Sequence, residues 1–406
     1  MSKIIRKATR DKDAGTKYVL FILSPLISLI YSIKNSNSKS SYIVFFLFAL
    51  FFGFAFEIEN ATTIDGYRYV ELFQAFASSA YDIKKNFVEW LSFGADDKDF
   101  YLQTICYIVS AFTSNYHFLF LALAAVFSFF QLKSLKFLTN SPSFKNDFYS
   151  ISLIIVFIGA NQIFNINGAR FWTAVWVAIY CLFELLYNNN RKYLLLLLVL
   201  PFFHAAFLLF PLLYAVYWLT KSFGKLWIIL FIISFFLGNI SNIFFQNMSN
   251  YLPDTLQMFN ERYTSVEAFE ENIEREKSLS LLYILTSNMS NLYVGALVII
   301  INKYIDRIKH SAYYNLYIFL LVLSTFANVT MPIPSLGGRF ILMTYPLLAF
   351  LCLNILSKQK FIYLIYLAPV AMVNILYQFY IHYLMVVPMP DFLITPFVTI
   401  FKHIFI

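Results

Sequence analysis

The chain reads as an all-α polytopic membrane protein with about 11–12 transmembrane helices. Three observations predict that class. Apolar runs approaching the length of a membrane span recur along most of the sequence. Only 13% of the residues are charged, about half of the roughly 25% usual in a soluble domain. The short segments between the runs are mostly basic, whereas two longer ones are acidic, which is how loops on opposite sides of a bilayer differ. Mean hydropathy is +0.67, and residues 1–406 read as a single integral membrane domain.

In chain order, spans are predicted near 18–33, 42–56, 115–132, 149–164, 170–187, 193–203, 204–219, 226–245, 280–301, 312–328, 340–356 and 361–380. Several fall short of the ~20 residues that a perpendicular helix needs. They either extend past these bounds or surround a thinned, water-filled cavity.

Loop charge orients them. Segment 57–99 carries nine acids against Arg68, Lys84, Lys85 and Lys98, and segment 246–279 carries seven acids against Arg262, Arg275 and Lys277. Lys133/Lys136/Lys145, Arg191/Lys192, Lys221/Lys225, Lys303/Arg307/Lys309 and Lys358/Lys360 mark the other loops. The positive-inside rule makes those loops cytoplasmic and the two acidic loops, 57–99 and 246–279, external. Arg170, His204 and Arg339, each interrupting an apolar run, then all emerge on the external side.

Two segments resist a simple count. Counting 100–113 as a full span would put the acidic loop 57–99 inside, so it reads as a half-inserted helix at the external surface, broken at Ser114-Asn115. Lys3, Arg6, Lys7, Arg10, Lys12 and Lys17 argue for a cytoplasmic N-terminus, yet two spans before residue 57 argue for an external one. Either 18–33 does not cross fully or the tail departs from the rule.

Composition and motif content narrow the chemistry. The net charge of +8 lies in loops that orient the chain and is no nucleic-acid signal. Cys106, Cys181 and Cys352 stand singly in apolar segments, which suits neither disulfides nor metal ligation. HExxH, Walker A, GxGxxG and GxSxG motifs are lacking, and no cleavable signal peptide is evident. The reading includes no metal and no cofactor.

The candidate site residues are polar groups at the external ends of spans. Asp65 in Asp65-Gly66-Tyr67-Arg68-Tyr69 can accept a proton from a sugar hydroxyl, Arg68 can pair with phosphate, and Tyr67 and Tyr69 suit sugar rings. Asp65 equally suits the N-cap of a helix starting near Gly66. Arg170 follows Asn167-Gly168, and Arg339 follows Gly337-Gly338, each immediately before a span. A glycine turn, an arginine and a helix start together make a seat for phosphate or diphosphate, with Asn167, Gly168 and Gly338 in the turns. The bland alternative is an arginine snorkelling to the interface. His204, at the apex of the hairpin 193–219, is a candidate base or a structural donor.

These residues resemble the motifs of EpsG-like proteins, a branch of the Wzy-type polysaccharide polymerases. Asp65-Gly66-Tyr67-Arg68-Tyr69 with Phe73 is similar to their "GTDYxxYxxxF" stretch, and Asn167-Gly168-Ala169-Arg170 to "NGIRQ". Phe203-His204-Ala205-Ala206 is similar to "FHxSA", Phe100-Tyr101 with Asn115-Tyr116 to their "EPGYxxLN…N-Y" segment, and Arg339 to a late arginine before a penultimate span. Asp99-Phe100 replaces Glu-Pro, Phe171 replaces Gln, and Ala205 stands where Ser or Thr is common.

The resemblance implies a bacterial inner-membrane enzyme that joins oligosaccharide repeat units carried on undecaprenyl diphosphate, releasing undecaprenyl diphosphate. Arg170 and Arg339 would stabilise the leaving group with Arg68 as helper, and Asp65 or His204 would be the base. Membrane lipid, a flippase and a chain-length regulator are the partners expected, and nucleic acid is not. The architecture also looks like that of GT-C glycosyltransferases, so transfer of one sugar from a polyprenyl phosphate is an alternative. A lipid-linked oligosaccharide flippase is another, although no pair of similar halves is visible.

Overall fold

The computed structural model describes residues 11–58, 65–78, 84–85, 87–88, 100–237, 247, 281–333, 336–383 and 394–405. Among them the chain is built from helices joined by turns, with no strand. Five helical stretches among the described residues are long and apolar enough to cross a membrane: Tyr116–Thr139, Phe148–Tyr187, Ala312–Val329, Gly337–Ile355 and Lys360–Tyr377. Shorter apolar helices, including Lys39–Phe54, Ala205–Thr220 and Met289–Asn302, pack around them. The protein is therefore an all-α polytopic membrane protein, as expected. The acidic segment 246–279 lies outside the described residues, apart from the lone position 247.

The N-terminal apolar run does not form one membrane-length helix. It forms two short helices, α1 (Ala14–Leu23) and α2 (Pro25–Ile33), broken where Ser24 turns extended ahead of Pro25. Proline lacks the N–H that a continuing helix would need and forces its predecessor out of the helical region. The Ser28 hydroxyl donates to the Lys17 carbonyl at 2.7 Å. In a straight helix those residues would lie about 16 Å apart along the axis, so α2 folds back on α1. The Lys17 ammonium, fully buried, donates to Ser38 Oγ at 2.8 Å and Ser40 Oγ at 2.9 Å, beside Asp11 and Asp13. Asp11 also accepts from the Ser40 backbone N–H at 2.6 Å. Partial burial alone would raise the Asp11 pKa, but hydrogen bonds from Ser40 and the nearby Lys17 charge hold it below the ordinary carboxylate value. Residues 11 and 40 therefore sit at the same end of α3 (Lys39–Phe54). The single span 18–33 is corrected to a hairpin of two short helices.

After α3 come α4 (Asp65–Ala77), α5 (Tyr101–Ser110) and α6 (Tyr116–Thr139). With ten residues, α5 rises about 15 Å, half the ~30 Å of a hydrocarbon core. It ends in a turn before Asn115, whose Oδ1 accepts from the His117 N–H at 3.0 Å and caps α6. This is a short helix where a half-inserted one was expected near 100–113.

The apolar stretch Phe148–Tyr187 is two antiparallel helices. α7 (Phe148–Gly159) and α8 (Ala169–Leu182) are joined by a 3₁₀ turn at Ile163–Gly168. Phe157 stacks on Trp176 at 5.7 Å and on Phe183 at 6.3 Å, contacts that require the chain to reverse. α8 is the central helix, with every residue buried except Arg170 and Tyr180. α9 (Leu194–Phe203) runs back along it, from Tyr193 against Tyr180 to His204 against Phe171. α10 (Leu209–Thr220) then returns.

The two ends of the bundle differ. At one end, Asp147 pairs with Lys360 at 3.2 Å, Ser141 bonds Asn354, and Arg191, Lys221 and Asn315 line one cavity. These are the basic loops. At the other end lie Asp65, Arg170, His204 and Arg339.

Candidate active site

The site is built on the first turn of α8. Its foundation is a set of buried amides in the preceding turn. Asn161, 2% exposed, donates from Nδ2 to the Trp172 carbonyl at 2.8 Å and accepts from Asn165 Nδ2 at 3.0 Å. Gln131 of α6 donates to the Asn161 carbonyl at 3.3 Å. These bonds satisfy backbone groups freed where α7 gives way to α8, at a depth where an unmet polar group is costly. Sequence reading passed over Asn161, Gln162 and Asn165. The available signal was three amides within five positions of otherwise apolar chain.

The next residues face outward to separate parts of the fold. Asn167 Oδ1 accepts from the Gly66 backbone N–H at 2.8 Å, tying the turn to the start of α4. A Cβ on Gly66 would stand 2.7 Å from that oxygen, so a larger residue there would push the Asn167 amide out of this position. Arg170 donates from Nε to the Tyr69 hydroxyl at 3.2 Å, and its Cζ stands 5.3 Å from the Tyr69 ring centroid. The Arg339 guanidinium comes from α14 (Gly337–Leu342), reached through α11 (Gly224–Ser234), α12 (Leu281–Asn302) and α13 (Ala312–Val329). Its Cζ lies 5.1 Å from the Phe171 ring and 5.9 Å from the Trp172 ring. His204 meets Phe171 edge-on at 5.3 Å, and Phe340 meets it at 5.9 Å. Arg170, Phe171 and Trp172, three consecutive residues, thus gather α4, the His204 corner and the Arg339 turn.

The other site candidates fall into place around this hub. Asp65 is the first described residue of α4, and Asn167, not Asp65, satisfies the Gly66 N–H. Among the described residues the Asp65 carboxylate has no hydrogen bond or ion pair, and it is partly exposed. Arg68 is exposed and Tyr67 half-buried. Tyr69 is 2% exposed, so its ring presents no open face to a sugar. Gly168 precedes α8 with its Cβ position 3.1 Å from Trp172 Cδ1.

Of the two glycines before Arg339, the packed one is Gly337. A Cβ there would meet the Ala327 carbonyl oxygen and the Met331 nitrogen, each at 2.4 Å, whereas the nearest atom to one on Gly338 is Met331 Sδ at 3.9 Å. Gly337→Ala should therefore destabilise the protein by about 1–3 kcal/mol through overpacking against backbone, and Gly338→Ala should be nearly neutral. Thermal unfolding midpoints of the two variants in detergent test this, and equal midpoints would refute it.

His204 is shaped by its own corner. It ends α9 in extended conformation, and its Nδ1 accepts from the Ala206 N–H at 3.2 Å, capping the 3₁₀ turn Ala205–Leu208. With the Nδ1 lone pair engaged, the neutral ring carries its proton on Nε2. In that tautomer Nε2 is a hydrogen-bond donor, while the Nδ1 lone pair is taken up by the turn. The same corner closes a second region. The Phe100 N–H donates to the Phe202 carbonyl at 3.1 Å, and Tyr101 packs on Phe203 at 4.8 Å. Lys84, Phe87, Phe100, Thr104 and Phe202 line an open cavity of 340 Å³ beside it. Among the described residues no three His, Cys, Asp or Glu side chains gather as a metal site.

Fold and site together define a polytopic membrane protein whose polar centre, with two arginines, lies at the end of the bundle opposite its basic loops. The chain belongs to the EpsG family, whose profile matches residues 39–396. As a member it is a membrane protein of the polysaccharide-polymerase type, and a lipid-linked oligosaccharide is the class of substrate that membership implies. No curated protein and no solved structure matches it.

Proposed function

We propose that the protein polymerises oligosaccharide repeat units carried on undecaprenyl diphosphate, at the outer face of the bacterial inner membrane, in O-antigen, capsule or exopolysaccharide synthesis. The observation that carries this reading is the gathering of Arg170, Arg339, His204 and the Asp65-bearing helix around one helix turn. Glycosyl transfer from a diphosphate needs cationic stabilisation of the departing oxygen and a base for the acceptor hydroxyl. Arg170 and Arg339 supply the first, with Arg68 at the rim. Asp65 supplies the second, because the hydrogen bond from the Ala206 N–H to His204 Nδ1 fits His204 for donation. Tyr67, Gly168 and Gly338 border the path of the diphosphate and sugar, behind which Asn167 braces the turn. A flippase would deliver the lipid-linked units and a chain-length regulator would set the polymer size.

The short helix α5 after the acidic segment favours a second reading, a GT-C transferase adding one sugar from a polyprenyl phosphate. Purified full-length protein in detergent, given lipid-linked repeat units alone, should produce a ladder of polymer. Products longer by one sugar only would favour the second reading. Inert substrate in detergent, with activity only in sealed vesicles, would favour transport.

A further inference from the structure

We infer that Tyr69 and Asn167 are positioning residues, which hold the Asp65 helix in register with Arg170 and do not themselves touch substrate. The inference rests on the proposed roles of Asp65 and Arg170.

Two contacts join α4 to the α8 turn, and they share one offset. Gly66 meets Asn167 and Tyr69 meets Arg170, each pair separated by 101 positions. Three residues along α4 therefore match three residues along the turn, and the two segments are pinned at two points about 4.5 Å apart along a helix. One pin would leave α4 able to pivot; two fix its direction as well as its place. Asp65 stands one residue before the first pin, so its carboxylate is carried by the pair.

Each pin suits holding better than binding. The Asn167 carbonyl oxygen is occupied by a backbone donor that no substrate could supply. The Tyr69 hydroxyl accepts from Nε of Arg170, and the buried ring lies against the guanidinium. A guanidinium is a planar fork whose value for phosphate depends on the direction of its plane. Anchoring Nε sets that plane and keeps this contact off the two terminal nitrogens.

Turnover kinetics on the full-length protein with lipid-linked oligosaccharide test the inference. Tyr69→Phe keeps the ring and its packing and removes only the acceptor. It should lower kcat about tenfold with KM unchanged. In an Arg170→Lys background, which has no Nε donor for Tyr69, the same change should have no further effect. A rise in KM alone would make Tyr69 a substrate contact and overturn the inference. So would a full tenfold loss in the Arg170→Lys background, or unchanged kinetics. The second pin is read independently of the first. Gly66→Ala, which adds no group that could bind substrate, crowds the Asn167 oxygen away from that N–H, and Asn167→Ala removes the oxygen, so their losses in kcat should not add. Additive losses would overturn the role of Asn167, and this pair decides the matter if Tyr69→Phe fails to accumulate. Wild-type turnover in Arg170→Ala would instead overturn the functional reading, an outcome separate from all of these.

Discussion

Arg170→Ala is expected to leave a folded protein that accumulates single repeat units in place of a polymer ladder. The loss of turnover should be on the order of 10²–10³-fold, the usual cost of removing one group that stabilises charge developing in a transition state. Folding should survive, because Arg170 is one of two residues of α8 that are not buried and alanine is a better helix former. Arg170→Lys keeps the charge but loses the planar fork, so it should recover only part of the activity. Arg339→Ala should act in the same direction, and with both arginines on one hub the double variant should lose less than the product of the two single losses. Gel separation of lipid-released glycans reads all of this, and a normal ladder from Arg170→Ala would remove that arginine from the mechanism.

Asp65→Asn should abolish polymer formation about as thoroughly, by roughly 10²–10⁴-fold. The substitution keeps shape and removes basicity. It spares the fold for a reason visible in the contacts: the Gly66 N–H at the start of α4 is satisfied by Asn167, so the helix does not depend on residue 65 for that bond. A protein that is stable, binds lipid-linked substrate and fails to turn it over is the expected result. Full polymerisation by Asp65→Asn would pass the proton to the substrate itself or to a rearranged His204.

Much of this arrangement was legible in the sequence, for identifiable reasons. Loop charges and apolar runs predicted that Arg170, His204 and Arg339 would share one end of the bundle, and they do. Those signals survive because span count and charge bias are properties of single segments. What escaped reading depends on distant partners. The run 18–33 is as apolar as a span, and its folding back rests on Pro25 together with a Lys17 that finds Ser38 and Ser40 more than twenty positions away. That Tyr69 is buried against Arg170, 101 positions away, is likewise invisible in the residue type, which suits a sugar ring equally well. The tautomer of His204 follows from a bond to the Ala206 N–H two residues on, which no composition reports.

The three consecutive residues at the start of α8 have a consequence for how such a protein can vary. Successive side chains on a helix diverge by about 100°, so Arg170, Phe171 and Trp172 address different neighbours from a single shaft. The elements leaning on that shaft keep their mutual placement without long connections between them, and the loops joining them are free to change length as glycans differ. The shaft itself has no such freedom. One residue added to or lost from the turn 163–168 would rotate every address by one position and present each neighbour with the wrong side chain. Divergence should therefore collect in the spokes, while the length of this one turn stays constant.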